Sequence, residues 1–214
     1  MQVTNITNSY SNYNNIVFGQ ILRNDIPAKV LKDNKYLLLV SGPSGVGKDT
    51  IMNELLDRFN KIVTHTTRPK REGEIDGINY FFTTIEKFVE GIKNNEFVEY
   101  VNSFSGKFYG TKRETIKKAL NGQKPGLAIV DVDGAKNIKE NLDANVISIF
   151  IKPPSMDVLK QRLLKRGTES EAQIAERLQK AAYEIEQAKN YDAVIQNENP
   201  EEGVRDIKAL LNLE

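Results

Sequence analysis

The chain has 214 residues, 39% of them hydrophobic, enough for one sizeable core or a core with small appended lobes. Thirty basic residues against 29 acidic ones leave it nearly neutral, so its charge gives no reason to expect nucleic acid or an anionic membrane as partner. With no cysteine and a single histidine, His65, disulfides, thiolate metal sites and histidine metal clusters are excluded.

Residues 1–15, "MQVTNITNSYSNYNN", are polar and uncharged and are expected to form a flexible tail. Residues 16–34 carry apolar side chains at mixed spacing, able to pack on the domain edge, and complete an N-terminal extension, 1–34, that is expected to be partly flexible. No charged n-region and apolar h-region opens the chain, and the longest apolar runs, such as Tyr36 to Val40, are far short of a membrane span. The expected location is therefore the cytoplasm.

From Lys35 short apolar strands alternate with helical stretches. Strands are expected at 36–41, 61–64, 79–83, 96–103, 126–132, 145–151 and 191–196. Helix starts are expected where a hydroxyl precedes Glu by three residues: Thr83 with Glu86, Thr111 with Glu114, and Thr168 with Glu171. Asn199-Pro200 opens the final helix with a capping side chain and a proline at the first helical position. The runs 36–41, 126–132 and 145–151 are almost wholly apolar and separated by helical segments, which predicts an α/β fold with a parallel sheet covered on both faces.

"GPSGVGK", from Gly42 through Pro43, Ser44, Gly45, Val46 and Gly47 to Lys48, follows the first strand and precedes an amphipathic helix with apolar residues at Ile51, Met52, Leu55, Leu56 and Phe59. A loop of this kind turns its backbone N–H groups toward phosphate oxygens while the lysine reaches the terminal phosphates. Asp49 stands where the pattern has a magnesium-binding hydroxyl, and Thr50 follows one place late. Either can serve a magnesium ion, the carboxylate directly or through water and the hydroxyl in its place. The loop alone means only a user of nucleoside triphosphate. Downstream, "TTRPKREGEIDGINYFF" gathers Arg68, Lys70 and Arg71 among hydroxyls and a tyrosine, a donor set suited to a phosphate monoester.

Taken in order, "SGPSGVGKDT", "THTTRPKREGEIDGINYFF", "FYGT" and "KRGTESEAQIAERL" resemble the guanylate kinases over Tyr36 to about Leu211. That resemblance implies a P-loop nucleotide-binding core (35–62, 114–154 and 181–214), a small GMP-binding lobe (63–113) and a helical lid (155–180). It implies that Arg68, Arg71, Tyr80 and Tyr109 hold the GMP phosphate, and that Thr64, Glu99, Thr111 and Asp133 surround the guanine. Asp131 would lie near the metal with Asp49 and Thr50, and Asn197 near the donor's adenosine. Lys48 and the lid arginines Arg162, Arg166 and Arg177 would neutralise the transferring phosphoryl group. The implied substrates are ATP and GMP, the implied cofactor Mg2+.

Two stretches depart from the family pattern: one extra residue lies between Glu99 and Ser105-Gly106, and "DVDGAK" is two residues shorter than D-x-D-x-Q-G. Two other readings share parts of the pattern. Ribose 1,5-bisphosphate phosphokinases also carry G-K-D-T, but need no base-reading glutamate. Guanylate-kinase-like scaffold domains bind phosphopeptides without catalysis, and typically lose the phosphate loop that is intact here. No proton transfer calls for His65, which is expected to be structural or solvated.

Overall fold

The computed structural model describes residues 22–23, 31, 34–103, 106–167 and 169–213. Two sheets organise them. The larger runs from edge to edge as β1 (Leu22–Arg23), β10 (Ala193–Gln196), β9 (Val146–Lys152), β2 (Leu37–Ser41), β8 (Gly126–Ile129) and β3 (Asn60–Lys61). Its neighbours pair in parallel except β1, which lies antiparallel on β10.

The alternation of a strand explains how one short run serves two cores. Leu38 and Val40 of β2 enter a cluster on one face of the sheet, while Leu37 and Leu39 enter a second cluster on the other. The first face is covered by α1 (Lys48–Asn53), α5 (Met156–Arg166), α6 (Glu171–Glu186) and α7 (Pro200–Leu211), through residues such as Ile51, Leu159, Ile174 and Ile207. The second is covered by α3 (Arg113–Leu120) and α4 (Val132–Asn141), through Ile116, Ala135 and Ile138.

The smaller sheet has the order β5 (Phe81–Phe82), β4 (His65–Thr66), β7 (Phe108–Lys112) and β6 (Phe97–Asn102). Strand β4 is parallel to β5 and antiparallel to β7, and β6 is antiparallel to β7. One helix, α2 (Ile85–Lys93), packs on it by stacking Phe88 against Phe97 and Phe108 at ring separations of 4.3 and 5.3 Å. His65 lies 4.8 Å from Phe81 and 6.0 Å from Phe97, and burial, with Lys112 nearby, lowers its pKa to about 4. It is a neutral packing residue, as expected.

Several local expectations shift. The strand placed at 61–64 is a crossing: the chain pairs with β8 only at Asn60–Lys61, then leaves for the smaller sheet at β4. Strand β7 stands where the sequence shows a ligand motif and a helix start at Thr111. Two capping sites move by one or two residues. Thr84, not Thr83, accepts from the backbone of Lys87, and Ser170 forms the capping box of α6 with Gln173. The expected cap Thr168 lies outside the described residues, as does most of the 1–34 extension, including the tail at 1–15. Thr111 caps nothing, because its hydroxyl is spent on Glu99; α3 starts after Lys112 instead. Asn199 does cap α7, accepting from Glu202 N at 2.9 Å with Pro200 at the first turn. Finally, α1 ends at Asn53, and Leu55 and Phe59 are buried through a series of turns rather than a continued helix.

Candidate active site

The carboxyl end of β2 and the facing strands of the smaller sheet open on one cleft of about 730 Å³. The loop residues Gly42, Ser44, Gly45, Gly47, Lys48, Asp49 and Thr50 line one side of it, and Thr64, Tyr80, Glu99 and Tyr109 line the other. A recess of about 510 Å³ shares Ser44, Asp49, Thr64, Tyr80, Tyr109 and Arg166 with it and adds Arg68, Arg71 and Arg177. The two are parts of one site.

The loop is shaped by close backbone contacts. Gly42 has φ +148°, and a side chain there would stand 2.1 Å from the carbonyl oxygen of Ile151, so only glycine lets the turn leave β2 beside β9. Val46 is fully buried and pins the loop to the core. Its carbonyl points away from the cleft and accepts from Asn197 Nδ2 at 2.6 Å. Asn197, expected near the donor's adenosine, is itself buried and braces the phosphate loop without lining the cleft. Lys48 Nζ donates to the carbonyls of Gly42 at 2.6 Å and Pro43 at 3.0 Å, which folds the ammonium over the loop. Burial holds this ammonium below the usual lysine range, opposed first by the charge of Glu184.

On the opposite side Arg68 bonds Glu74 at 2.6 Å and lies over the rings of Tyr80 and Phe82 at 5.3 and 5.8 Å. Glu74 also accepts from the backbone N–H of Arg71 at 2.8 Å, so one carboxylate orders the whole basic loop. The rings of Tyr80 and Tyr109 meet edge-on at 6.1 Å beside it. Deeper in the cleft, the hydroxyl of buried Thr111 donates to Glu99 Oε1 at 2.6 Å. Burial raises the pKa of Glu99 to about 7, against the pull of that hydrogen bond and with a contribution from the charge of Asp131. A side chain at Gly134 would stand 3.2 Å from both Glu99 Oε2 and Asp131 Oδ1, so its absence lets the first turn of α4 close on the carboxylates.

The paired acids after β8 separate. Asp131 caps α4, accepting from Gly134 N at 2.8 Å, and lines the cleft. Asp133 lies one residue into the helix, faces a different hollow and accepts from the hydroxyl of Tyr183 at 3.2 Å. The short "DVDGAK" turn is the physical reason: α4 begins at Val132, so its rotation carries Asp133 off the cleft. Asp133, expected at the guanine, thus faces away from the cleft, while Asp131, expected near the metal, lines it together with Asp49, Thr50 and Glu99.

Of the lid arginines, Arg162 donates to the carbonyls of Val46, Asn197 and Glu198 at 3.4, 3.1 and 2.9 Å. Arg177 reaches Ser44 Oγ at 2.5 Å and pairs with Glu169 at 3.2 Å. Arg166 lines both halves of the cleft. The oxygen donors Asp49 and Thr50 are exposed at the cleft, and no group of three or more His, Cys, Asp or Glu converges among the described residues. That set fits Mg2+, which keeps several waters and arrives with phosphate oxygens. Three residues of the site have no role assigned from sequence: Glu74, which stands inside the basic-loop motif, and Lys180 and Glu184, which stand in none. Only the spacing of Lys180 and Glu184 after Arg177, on one face of α6, could have indicated the last two.

The guanylate kinase family profile matches residues 34–214. The guanylate kinase of Clostridioides difficile is 44% identical over 181 residues, 83% of this chain and 87% of that protein. That of Mesoplasma florum is 42% identical over 185 residues, 85% of this chain; the chain spans 62% of its length. Among solved structures, the guanylate kinase of Anaplasma phagocytophilum superposes with a TM-score of 0.68 at 35% identity, covering 86% of this chain and 87% of that one. No helix among the described residues is long and apolar enough to cross a membrane.

Proposed function

Because the chain belongs to the guanylate kinase family, we propose that it transfers the γ-phosphoryl group of ATP to GMP or dGMP, reversibly, giving ADP and GDP. The observation that carries this reading is one cleft that holds a phosphate loop on one side and a buried, hydroxyl-bonded carboxylate on the other.

A carboxylate has two oxygens, and guanine offers it two adjacent donors, N1–H and the 2-amino group. Adenine presents a bare acceptor at N1, which would face Glu99 lone pair to lone pair. Asp131, one helical turn from Gly134, supports the same end of the site, a role we assign to it in place of Asp133. Arg68 and Arg71, ordered by Glu74, take the acceptor phosphate with Tyr80 and Tyr109, the cations neutralising charge and the hydroxyls adding directional bonds. Guanine at Glu99 and phosphate at Arg68 set the acceptor's two ends.

The reaction needs no general base. An oxygen of the GMP phosphate, already anionic at neutral pH, attacks the γ-phosphorus, and the bond to the β–γ bridging oxygen breaks toward ADP. Alignment and charge neutralisation are what the chain supplies. The loop amides and Lys48 hold the donor phosphates, and Arg166 and Arg177 bring positive charge from the lid. Arg162 and Asn197 hold the loop in shape. Asp49 and Thr50 would hold Mg2+, which would neutralise charge on the donor phosphates. We place the lid at 155–180, the acceptor lobe at 63–113, and the reaction in the cytoplasm as a step of purine nucleotide metabolism.

The test is phosphoryl transfer from ATP–Mg to GMP, dGMP, AMP, CMP, UMP and ribose 1,5-bisphosphate. Turnover with GMP and dGMP, and little with the others, is expected. Preference for the bisphosphate, or binding of GMP without turnover, would overturn the assignment in favour of a different acceptor or a binding module.

A further inference from the structure

The cleft receives polyanions, yet its wall contains a buried carboxylate that the reaction as described does not use. Glu184 is 6% exposed and lines the cleft with Lys48 and Asp131. Burying a carboxylate beside a phosphate site is costly twice over, through desolvation and through repulsion of the substrate. Its neighbours explain why it is there. Lys180 Nζ lies 3.7 Å from Glu184 Oε1 and 3.8 Å from Asp131 Oδ2. The charged groups acting on Lys48 are Glu184, Asp49, Lys180 and Asp131, and of these Lys180 alone repels it. Lys180 thus stands within ion-pair reach of Glu184 and Asp131, while the Lys48 ammonium, bonded to the carbonyls of Gly42 and Pro43, shares their cleft and feels the charge of Glu184 at longer range.

The helix makes this a linkage between lid and loop. Arg177, Lys180 and Glu184 are spaced three and four residues apart, so they form one stripe along α6. The stripe begins at Ser44 of the phosphate loop, where Arg177 bonds, and ends beside Lys48. Lys180 lines the recess that carries Arg68 and Arg71. That recess joins the cleft at Ser44, Asp49 and Arg166.

We propose that Glu184 is a positioning residue for phosphoryl transfer: it holds the ammonium group of Lys180 at the junction of the two half-sites, in the cleft that Lys48 lines, and so makes Lys180 a further phosphate-binding cation. The inference rests on the kinase reading above. In the ground state Glu184 repels the nucleotides; in the transition state the lysine it aims neutralises more charge than it adds. Its removal therefore separates binding from turnover.

The experiment compares wild type, Glu184→Gln, Glu184→Asp and Lys180→Gln by steady-state kinetics with ATP and GMP, by calorimetric MgATP binding, and by thermal midpoint. Glu184→Gln is expected to bind MgATP as tightly as wild type or tighter and to lose at least tenfold in kcat, with KM values within threefold. Glu184→Asp recovers part of kcat, and the half-exposed Lys180→Gln lowers kcat without lowering the midpoint. A stable Glu184→Gln with unchanged kcat overturns the proposal, as does a loss confined to KM. If Glu184→Gln does not fold, Lys180→Gln decides alone, and its unchanged kcat is the overturning result. Wild type that binds MgATP but phosphorylates no nucleoside monophosphate overturns the kinase reading itself, and the proposal with it.

Discussion

Glu99 combines discrimination and instability in one side chain. It stays poised near neutrality because burial disfavours its charge, with a pKa raised to about 7 from the ordinary 4.5. A carboxyl whose folded pKa is raised contributes stability fully below its unfolded pKa and loses it as pH rises through the folded value. At pH 8 its ionisation costs about 3 kcal/mol, from the shift at about 1.4 kcal/mol per unit. Glu99→Gln should therefore raise the thermal midpoint at pH 8 and leave it unchanged near pH 4.5. The same variant should lose roughly 10²–10³-fold in kcat/KM for GMP, since an amide meets the 2-amino group or N1–H with a donor of its own. In wild type, kcat/KM for GMP should rise through about pH 7 as Glu99 ionises. A limb from the substrate phosphate itself, near pH ~6, persists in the variant. A profile through pH 7 identical in both proteins would refute the assignment. Much of this site was legible from residue order alone, because Gly42, Lys48, Arg68 and Tyr80 stand in dense motifs that the cleft brings together. Asp133 was not, because a two-residue change in loop length rotates a helix start and exchanges which acid faces inward. Glu184 was not, because a lone glutamate on a charged helix has no signature until its burial is seen.

Elements were legible where one physical signal dominated. Strand β2 is apolar at every inner position and was found within one residue, and Asn199-Pro200 marked the start of α7. Strand β7 was hidden because its side chains alternate between ligand, packing and capping-like roles, so Phe108, Tyr109 and Thr111 never formed an apolar run. The helix caps slipped where hydroxyls were abundant: Thr83 and Thr84 compete, and only tertiary packing chooses between them. One element-level device carries a prediction. The phosphate loop lies on the β10–α7 turn, where Asn197 donates to Val46 and Arg162 grips the carbonyls of Val46, Asn197 and Glu198. Asn197→Ala removes a buried donor from the Val46 carbonyl and should cost about 1–3 kcal/mol of stability. It should also raise KM for ATP several-fold while GMP affinity, set in the other sheet, stays put. Urea unfolding and separate titrations of the two nucleotides check this. Equal weakening of both nucleotides would mean that Asn197 supports the whole cleft rather than the loop.

At the scale of the molecule, donor and acceptor determinants belong to different sheets. The loop leaves the larger sheet at β2, and Glu99, Tyr109 and Thr111 stand on strands of the smaller one. Both open on a single cleft, so on the proposed assignment two nucleotides bound together would lie with their phosphates at the junction of the two half-sites. A linked ligand, adenosine and guanosine joined by a polyphosphate chain, would occupy both ends while losing its translational freedom once. Its second half then binds at an effective concentration in the millimolar range for a short flexible link. Stabilisation grows as RT ln(1 + [L]/Kd), about 1.4 kcal/mol for each tenfold gain in affinity. The linked ligand should therefore raise the thermal midpoint above the shift produced by ATP and GMP added together at the same concentration, in one cooperative transition. Shortening the polyphosphate until the ends no longer span the cleft should bring the shift back to that of one nucleotide. A shift no larger than that of ATP alone at every linker length would mean that the two half-sites do not face each other, and the arrangement of lysines around Glu184 would lose its purpose.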